Sequence, residues 1–351
     1  MTSSNSKKLV YPLGKVPDYG ELLEIASDIY WTRIPLPGVL NHINIWLIRD
    51  GDKYVVVDTG MRSDKAVETW QKLLAELPGD LPIKRVLVTH FHPDHVGMAG
   101  WLIQRGVPEF WMTRMEYMTC RVSYNQIRAD GVPEEYNAFN RSVGWPESAV
   151  QDYSRYYGAY KELIFRPPLS YCRIEEGQQH AIGENSWSVI IGNGHSPEHA
   201  CFYSKSLKLL ISGDQILPRI SSNVSVTVME PFSNPMADWL DSLKNLKATV
   251  PNDVLVMPAH QECFIGLHER VDQLITSQES TLAKLLESLR GEPKRAFDVF
   301  ETLFFRPIST ENFLTFNLAT GEAVACLNCL YERGQITRIK DSEGVFWYKS
   351  A

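Results

Sequence analysis

The sequence predicts an α/β protein in two parts. A layered domain covers residues 1–268, with a helical insertion at about 109–170, and a small winged-helix-like domain covers 269–351. Three observations carry this reading. Between residues 43 and 88, β-branched and aromatic runs alternate with a helix-period run, the pattern of an α/β layer structure. A stretch rich in Tyr, Trp and Arg and poor in β-branched residues then interrupts the strand signals. Beyond His260, long helical patterns and a final pair of strand runs take over.

Taken in order, runs 43–48 and 54–57 are strand-like, and the Asp50-Gly51-Asp52 turn between them suits a hairpin. Residues 64–77 place Val67, Trp70, Leu73, Leu74 and Leu77 at helical spacing, with a stop at Pro78-Gly79, and 85–88 is a short apolar strand. The insertion opens with Thr113 and Glu116 in capping-box spacing and a helix stop at Asp130-Gly131. On that helix Arg114, Tyr117, Arg121, Tyr124 and Arg128 fall on one face, beside an apolar stripe of Met115, Met118 and Val122. The stripe is expected to pack on the domain, leaving Arg and Tyr to solvent or a partner subunit. The sharper alternative makes the segment a lid whose aromatic and guanidinium groups bind an apolar, anionic substrate. Strand signals return at 187–191, 201–203, 207–211 and 254–257. A helix over 267–289, a break at Gly291-Glu292-Pro293, two helical runs, and strands 335–340 and 345–349 follow.

A chain of 351 residues with 44% hydrophobic and 22% charged residues can bury a sizeable core. Its 35 basic and 42 acidic residues give a formal charge of −7, which draws it neither to nucleic acid nor to an anionic membrane. No apolar run reaches the roughly 18 residues that span a bilayer, and the Ser-rich start lacks an apolar segment after its lysines, so a soluble, unexported protein is expected. Cys120, Cys172, Cys201, Cys263, Cys326 and Cys329 are too scattered for a disulfide framework, which fits a cytoplasmic location. Cys326 and Cys329 form a lone C-x-x-C in the apolar run 323–331 and read as two small core residues one helical turn apart. The expected recognition helix of the tail, 310–334, carries Glu311, Glu322 and Glu332 against Arg333. That charge opposes phosphate binding and favours a subunit contact, as in a homo-oligomer, or a wall beside the active site.

The chemistry concentrates after strand 85–88, in Thr89-His90-Phe91-His92-Pro93-Asp94-His95. Three imidazoles and one carboxylate fall within six residues. Such groups suit zinc, iron or manganese, and packed together without a cation they bear mutual desolvation costs. His42, His180, His199 and His268 give no comparable spacing and stay outside the proposed ligand set.

This run resembles the signature of the metallo-β-lactamase superfamily, and further elements follow in the order that family shows: Val57-Asp58-Thr59-Gly60, Gly194-His195, Ser212-Gly213-Asp214 and Pro258-Ala259-His260. The resemblance implies an αββα sandwich with a metal site at the sheet edges. It implies two divalent ions, zinc or else iron or manganese. His90, His92 and His195 would hold one; Asp94, His95 and His260 the other; Asp214 would bridge them. A hydroxide between the ions would be the nucleophile, Asp94 would orient it and take its proton, and Asp58 would fix the tautomer of a ligand imidazole. Asp214 stands where the lactam-cleaving branch with a cysteine ligand has that cysteine, and His92 stands where the flavin-linked di-iron branch has an acid. The glyoxalase II-like and lactonase-like group remains. The expectation is therefore a hydrolase of a small-molecule acyl thioester (acyl-CoA or glutathione thioester) or related ester. A lactonase, a mononuclear iron persulfide dioxygenase-like enzyme and a nucleic-acid phosphodiesterase are the alternatives.

Overall fold

Two sheets stack face to face because their central strands are apolar on both sides. In the computed structural model, which describes residues 8–77, 82–305 and 307–351, the first sheet runs in chain order: β1 (Leu23–Ala26), β2 (Ile29–Pro35), β3 (His42–Asp50), β4 (Lys53–Val57), β5 (Ile83–Leu87), β6 (Glu109–Thr113) and β7 (Cys172–Ile174). The first four strands form an antiparallel meander, and β4 to β7 are parallel. The second sheet contains β8 (Gln179–Ile182), β9 (Asn185–Gly192), β10 (His199–Ser204), β11 (Leu209–Gly213) and β12 (Leu255–Pro258), in the order β12-β11-β10-β9-β8 with only β11–β12 parallel. The Pro78-Gly79 helix stop and the chain start before Lys8 lie outside the described residues.

The two-residue period of a strand sorts the core into layers. Val55 and Val57 of β4 join Trp46, Trp187, Phe202 and Ile211 between the sheets, whereas Tyr54 and Val56 face the other way, towards helices. Those helices are α1 (Asp64–Glu76), then α2 (Pro93–Val96), α3 (Ala99–Gln104) and, opening the insertion, α4 (Arg114–Tyr124). Helix α1 begins where Ser63 Oγ accepts from Ala66 N, and it buries Trp70 and Leu73, as its spacing predicts. The insertion continues through α5 (Glu134–Ser142), α6 (Glu147–Asp152) and α7 (Tyr160–Leu163). The outer face of the second sheet is covered by α8 (Pro235–Thr249), α9 (Leu267–Ser288), α10 (Phe300–Leu303) and α11 (Phe313–Glu332), followed by a hairpin of β13 (Ile336–Lys340) and β14 (Phe346–Ser350). Ile190, Leu210 and Val256 of the sheet share one hydrophobic cluster with Ala323, Val324 and Leu327 of α11.

Several expectations need correction. Residues 109–113 are a strand of the sheet and not the start of the insertion; Phe110 and Met112 are buried on one side, and β5 and β7 flank the strand. The Thr113–Glu116 capping box does not form: Thr113 Oγ1 donates to Glu198 O, and Glu116 turns inward. Helix α4 ends at Tyr124, so Arg128, in a separate 3-10 turn, breaks the five-residue row. Its apolar stripe also faces outward. Met115, Met118 and Val122 are exposed, while Tyr117 and Cys120 are buried. Tyr117 stacks on Tyr171 with centroids 4.0 Å apart and donates its hydroxyl to Pro168 O and Leu169 O, burying a larger apolar surface than a methionine would. Helix α11 is, by length and composition, apolar enough to cross a membrane, contrary to expectation, but most of it is buried inside the protein, Cys326 and Cys329 included.

The two sheets are tied near their common edge by Asn44 of β3, which is fully buried. Its Oδ1 accepts from Trp31 Nε1 at 2.8 Å, and its Nδ2 donates to Pro258 O and Gln261 O, each at 2.8 Å, on either side of His260. Asn44→Leu takes this partner from Trp31 Nε1 and Pro258 O in the interior, while Gln261 O keeps Arg33 Nη2. It is expected to cost about 2 kcal/mol or more of stability, read as a lowered urea midpoint; an unchanged midpoint would show that the tie is dispensable.

Candidate metal centre

The polar groups singled out in the sequence converge where strands end. Thr89 to His92 follow β5, and Pro93 at the first position of α2 starts the turn that carries Asp94 and His95. His195 follows β9, Asp214 follows β11 and His260 follows β12. Two glycines make the close approach possible. Gly194 has φ +99°, and a Cβ there would lie 2.3 Å from Trp239 Cβ; Gly213 has φ +50°, and a Cβ would lie 2.5 Å from the His199 ring. Asp58 (φ 63°) and Gln261 (φ 70°) are left-handed without being glycine, so the backbone is strained at the site's margins.

Two trios of side chains face each other: His90, His92 and His195, and Asp94, His95 and His260, with each trio's ligating atoms within 4.8 Å of one another. In the first, His90 Nε2 lies 2.8 Å from His92 Nδ1 and 3.2 Å from His195 Nε2. In the second, Asp94 Oδ2 lies 3.6 Å from His95 Nε2 and 3.3 Å from His260 Nε2. Asp214 sits between them, its Oδ2 3.5 Å from both His95 Nε2 and His195 Nε2. His95 Nε2, His260 Nε2 and Asp214 Oδ1 are buried and make no hydrogen bond within the protein. Buried polar atoms left this way and aimed at common points fit cation ligands, and the donor set of imidazole and carboxylate suits zinc, iron or manganese. These His and Asp groups are able to bind metal ions.

The rings are oriented from behind. His95 Nδ1 donates to Asp58 Oδ2 (2.8 Å), His260 Nδ1 to His42 O (2.9 Å) and His195 Nδ1 to Asn223 O (2.7 Å), leaving each Nε2 for the site. Thr89 Oγ1 lies 3.0 Å from His90 Nδ1, and Thr89 N and Oγ1 both donate to Asp58. Asp58 is thus where the sequence expects a tautomer-fixing carboxylate.

Burial holds His90 well below its ordinary range and His92 down at about 3, so both are neutral. Burial would do the same to His95 and His260, but neighbouring carboxylates outweigh it. Asp58, Asp94 and Asp214 raise His95, and Asp214 with Asp94 hold His260 up at about 10. Against burial, these imidazolium groups press Asp94 down to about 2 and Asp214 well below the carboxylate range.

Sequence reasoning missed several contributors. His199, fully buried, accepts from Asp214 N at Nε2 (3.0 Å); it braces a ligand's backbone and is not itself in either trio. Asn223 Nδ2 donates to Glu322 Oε2 (2.9 Å), linking the His195 support to α11. Glu116, fully buried and pushed by burial up to about 7, accepts from Phe91 N and Glu198 N. Only its capping-box spacing marked it, and for a different role. Of the substrate-facing row, Arg114 is exposed, Tyr117 is occupied as described, and Arg121 Nη1 reaches Pro167 O and Pro168 O at 3.4 Å; neither trio includes any of them.

Two results are expected from metal titrations. Asp214→Ala and His95→Ala should lose bound metal after dialysis; full parental loading in either would overturn the assignment. Protons on His95 and His260 compete with metal, so apparent affinity should climb with pH through the neutral range, as far as the His260 value of about 10. His90 and His92, already neutral, add nothing to the slope; chelator competition showing a flat profile would contradict this account.

The fold and the site find counterparts in known proteins. Residues 38–260 match the metallo-beta-lactamase superfamily, and residues 282–351 match the metallo-beta-lactamase-like C-terminal domain. A beta-lactamase domain protein from Burkholderia ambifaria superposes with a TM-score of 0.86 at 35% identity, over 98% of both chains. The probable metallo-hydrolase YqjP of Bacillus subtilis (strain 168) is 24% identical over 84% of this chain and 91% of its own. The acyl-coenzyme A thioesterase MBLAC2 of Gallus gallus is 25% identical over 68% of this chain and 80% of its own. A match over more than half of the residues, and two facing trios of histidine and aspartate at the strand ends, lead to one conclusion: the chain belongs to the metallo-beta-lactamase superfamily of metal-dependent hydrolases.

Proposed function

We propose that the protein is a dinuclear, zinc-dependent hydrolase of small-molecule acyl thioesters, with acyl-coenzyme A the leading substrate class. The observation that carries the reading is the position of Asp214, equidistant from one imidazole of each trio, which suits a carboxylate shared by two ions. Two divalent ions held there would supply acidified water and a polarised carbonyl.

The chain's own groups divide the remaining work. His95 and His260 are almost wholly enclosed, whereas the Asp94 side chain keeps 21% of its surface exposed, more than Asp214 at 11%. Asp94 is therefore the carboxylate that can meet an incoming water, orient it and accept its proton. A thioester expels a thiolate of low basicity, so hydrolysis needs no strong acid on the leaving-group side. The similarity to a protein named acyl-coenzyme A thioesterase supports the same choice. The net charge of −7 and the enclosed α11 weigh against polymeric nucleic acid as substrate. Arg121, resting on backbone carbonyls, is not assigned to the coenzyme.

The test is a panel of acyl-CoA, glutathione thioester, lactone, lactam and phosphodiester substrates with zinc-loaded protein. Acyl-CoA should give the highest kcat/KM, and Asp214→Ala should lower kcat roughly a thousandfold or more. A single tightly bound iron with oxygen consumption, or near-parental turnover by Asp214→Ala, would refute the proposal.

A further inference from the structure

Three site imidazoles lie on two separate loops, His90 and His92 after β5 and His195 after β9, and one buried carboxylate from the insertion joins those loops. Glu116 Oε2 accepts from Phe91 N at 2.9 Å, between His90 and His92. Glu116 Oε1 accepts from Glu198 N at 2.7 Å, three residues beyond His195. Other bonds from the end of β6 and from the insertion run beside it. Thr113 Oγ1 donates to Glu198 O, Glu198 Oε2 accepts from Met115 N, each at 2.8 Å, and the Tyr160 hydroxyl donates to Phe91 O. Phe91 thus has both backbone polar groups held by the insertion. The other trio is anchored within the sandwich itself, by Asp58 behind His95 and by the His42 carbonyl behind His260.

The geometry points to Glu116 as a positioning residue that fixes the spacing of the His90, His92 and His195 trio, which makes the insertion part of the metal centre. The inference rests on the two-ion reading above. A carboxylate buried without charge partners is costly, and here each oxygen is matched to one amide of each loop, so it can hold both at a set distance. Removing it frees one loop relative to the other without touching a ligand, and the effect falls on one ion in preference to its neighbour.

The experiment compares Glu116→Gln and Glu116→Ala with the parent. Glutamine keeps the volume but offers one acceptor oxygen and sets its NH2 against the second amide. The parent should take up two ions. Both variants should bind one with parental affinity and the other about 10- to 100-fold more weakly, by chelator competition and by the visible absorption of cobalt-substituted protein. Tyr160→Phe should weaken the same ion by less. Two ions at parental affinity, or equal weakening of both, would overturn the proposal. Should the alanine variant fail to fold, the glutamine variant carries the comparison, its fold checked by melting the metal-free protein. Fewer than two ions in the parent would sink the two-ion reading alone. Hydrogen exchange at the Phe91 and Glu198 amides then decides the positioning role: faster exchange in Glu116→Gln supports it, and unchanged exchange overturns it.

Discussion

Asp58 accepts hydrogen bonds from the backbone and hydroxyl of Thr89 and from Nδ1 of His95, and through these bonds the end of β4, the end of β5 and the short α2 become one rigid corner. The corner is needed because five imidazoles and two carboxylates occupy one largely buried space. Such a cluster persists only if each group is satisfied on the side away from its neighbours. Asp58 takes a left-handed backbone conformation to reach its partners, a strain that the hydrogen bonds offset. Had the carboxylate faced solvent, His95 would lose both its orientation and the charge that sets its protonation.

The two halves of the centre depend on different parts of the chain. The Asp94, His95 and His260 trio is braced by Asp58 and by the His42 carbonyl, both in the sandwich. In the other trio His90 is backed by Thr89, but further supports come from outside the sandwich. His195 is held by Asn223, whose side chain is bonded to Glu322 of α11, and Glu116 comes from the insertion. Helix α11 therefore matters to the site through one hydrogen-bonded relay as well as through the core it shares with the second sheet.

What the sequence made legible was what is local. The H-x-H-x-D-H run needs six adjacent residues and a tight turn, and α1 follows from its apolar spacing. Contacts across the chain were not legible. Glu116 has capping-box spacing whether its carboxylate bonds to its own helix or to Phe91 and Glu198, and only the folded loops decide. Strand β6 escaped because a strand with neighbours on both edges and cover on both faces loses the polar alternation that announces a half-exposed one. The spacing of the α4 methionines points inward, whereas ring stacking and two carbonyl partners draw Tyr117 inward instead. His199 carries no distinctive spacing, and its role rests on a backbone amide that Gly213 brings within reach.

The division between sandwich and appended segments also bears on how substrate choice can change while the reaction stays the same. The enclosed side of the centre, formed by His90, His95 and His260, is set by strand ends whose residues are packed on both faces and tolerate little change. Its more accessible side carries His92, Asp94 and His195, next to the loops that the insertion and α11 hold in place. A substitution in those outer segments can reshape the approach to Asp94, but it also shifts the supports of the three-histidine trio. On the two-ion reading proposed above, a change in the insertion must preserve the two bonds of Glu116 if the spacing of His90, His92 and His195 is to be kept.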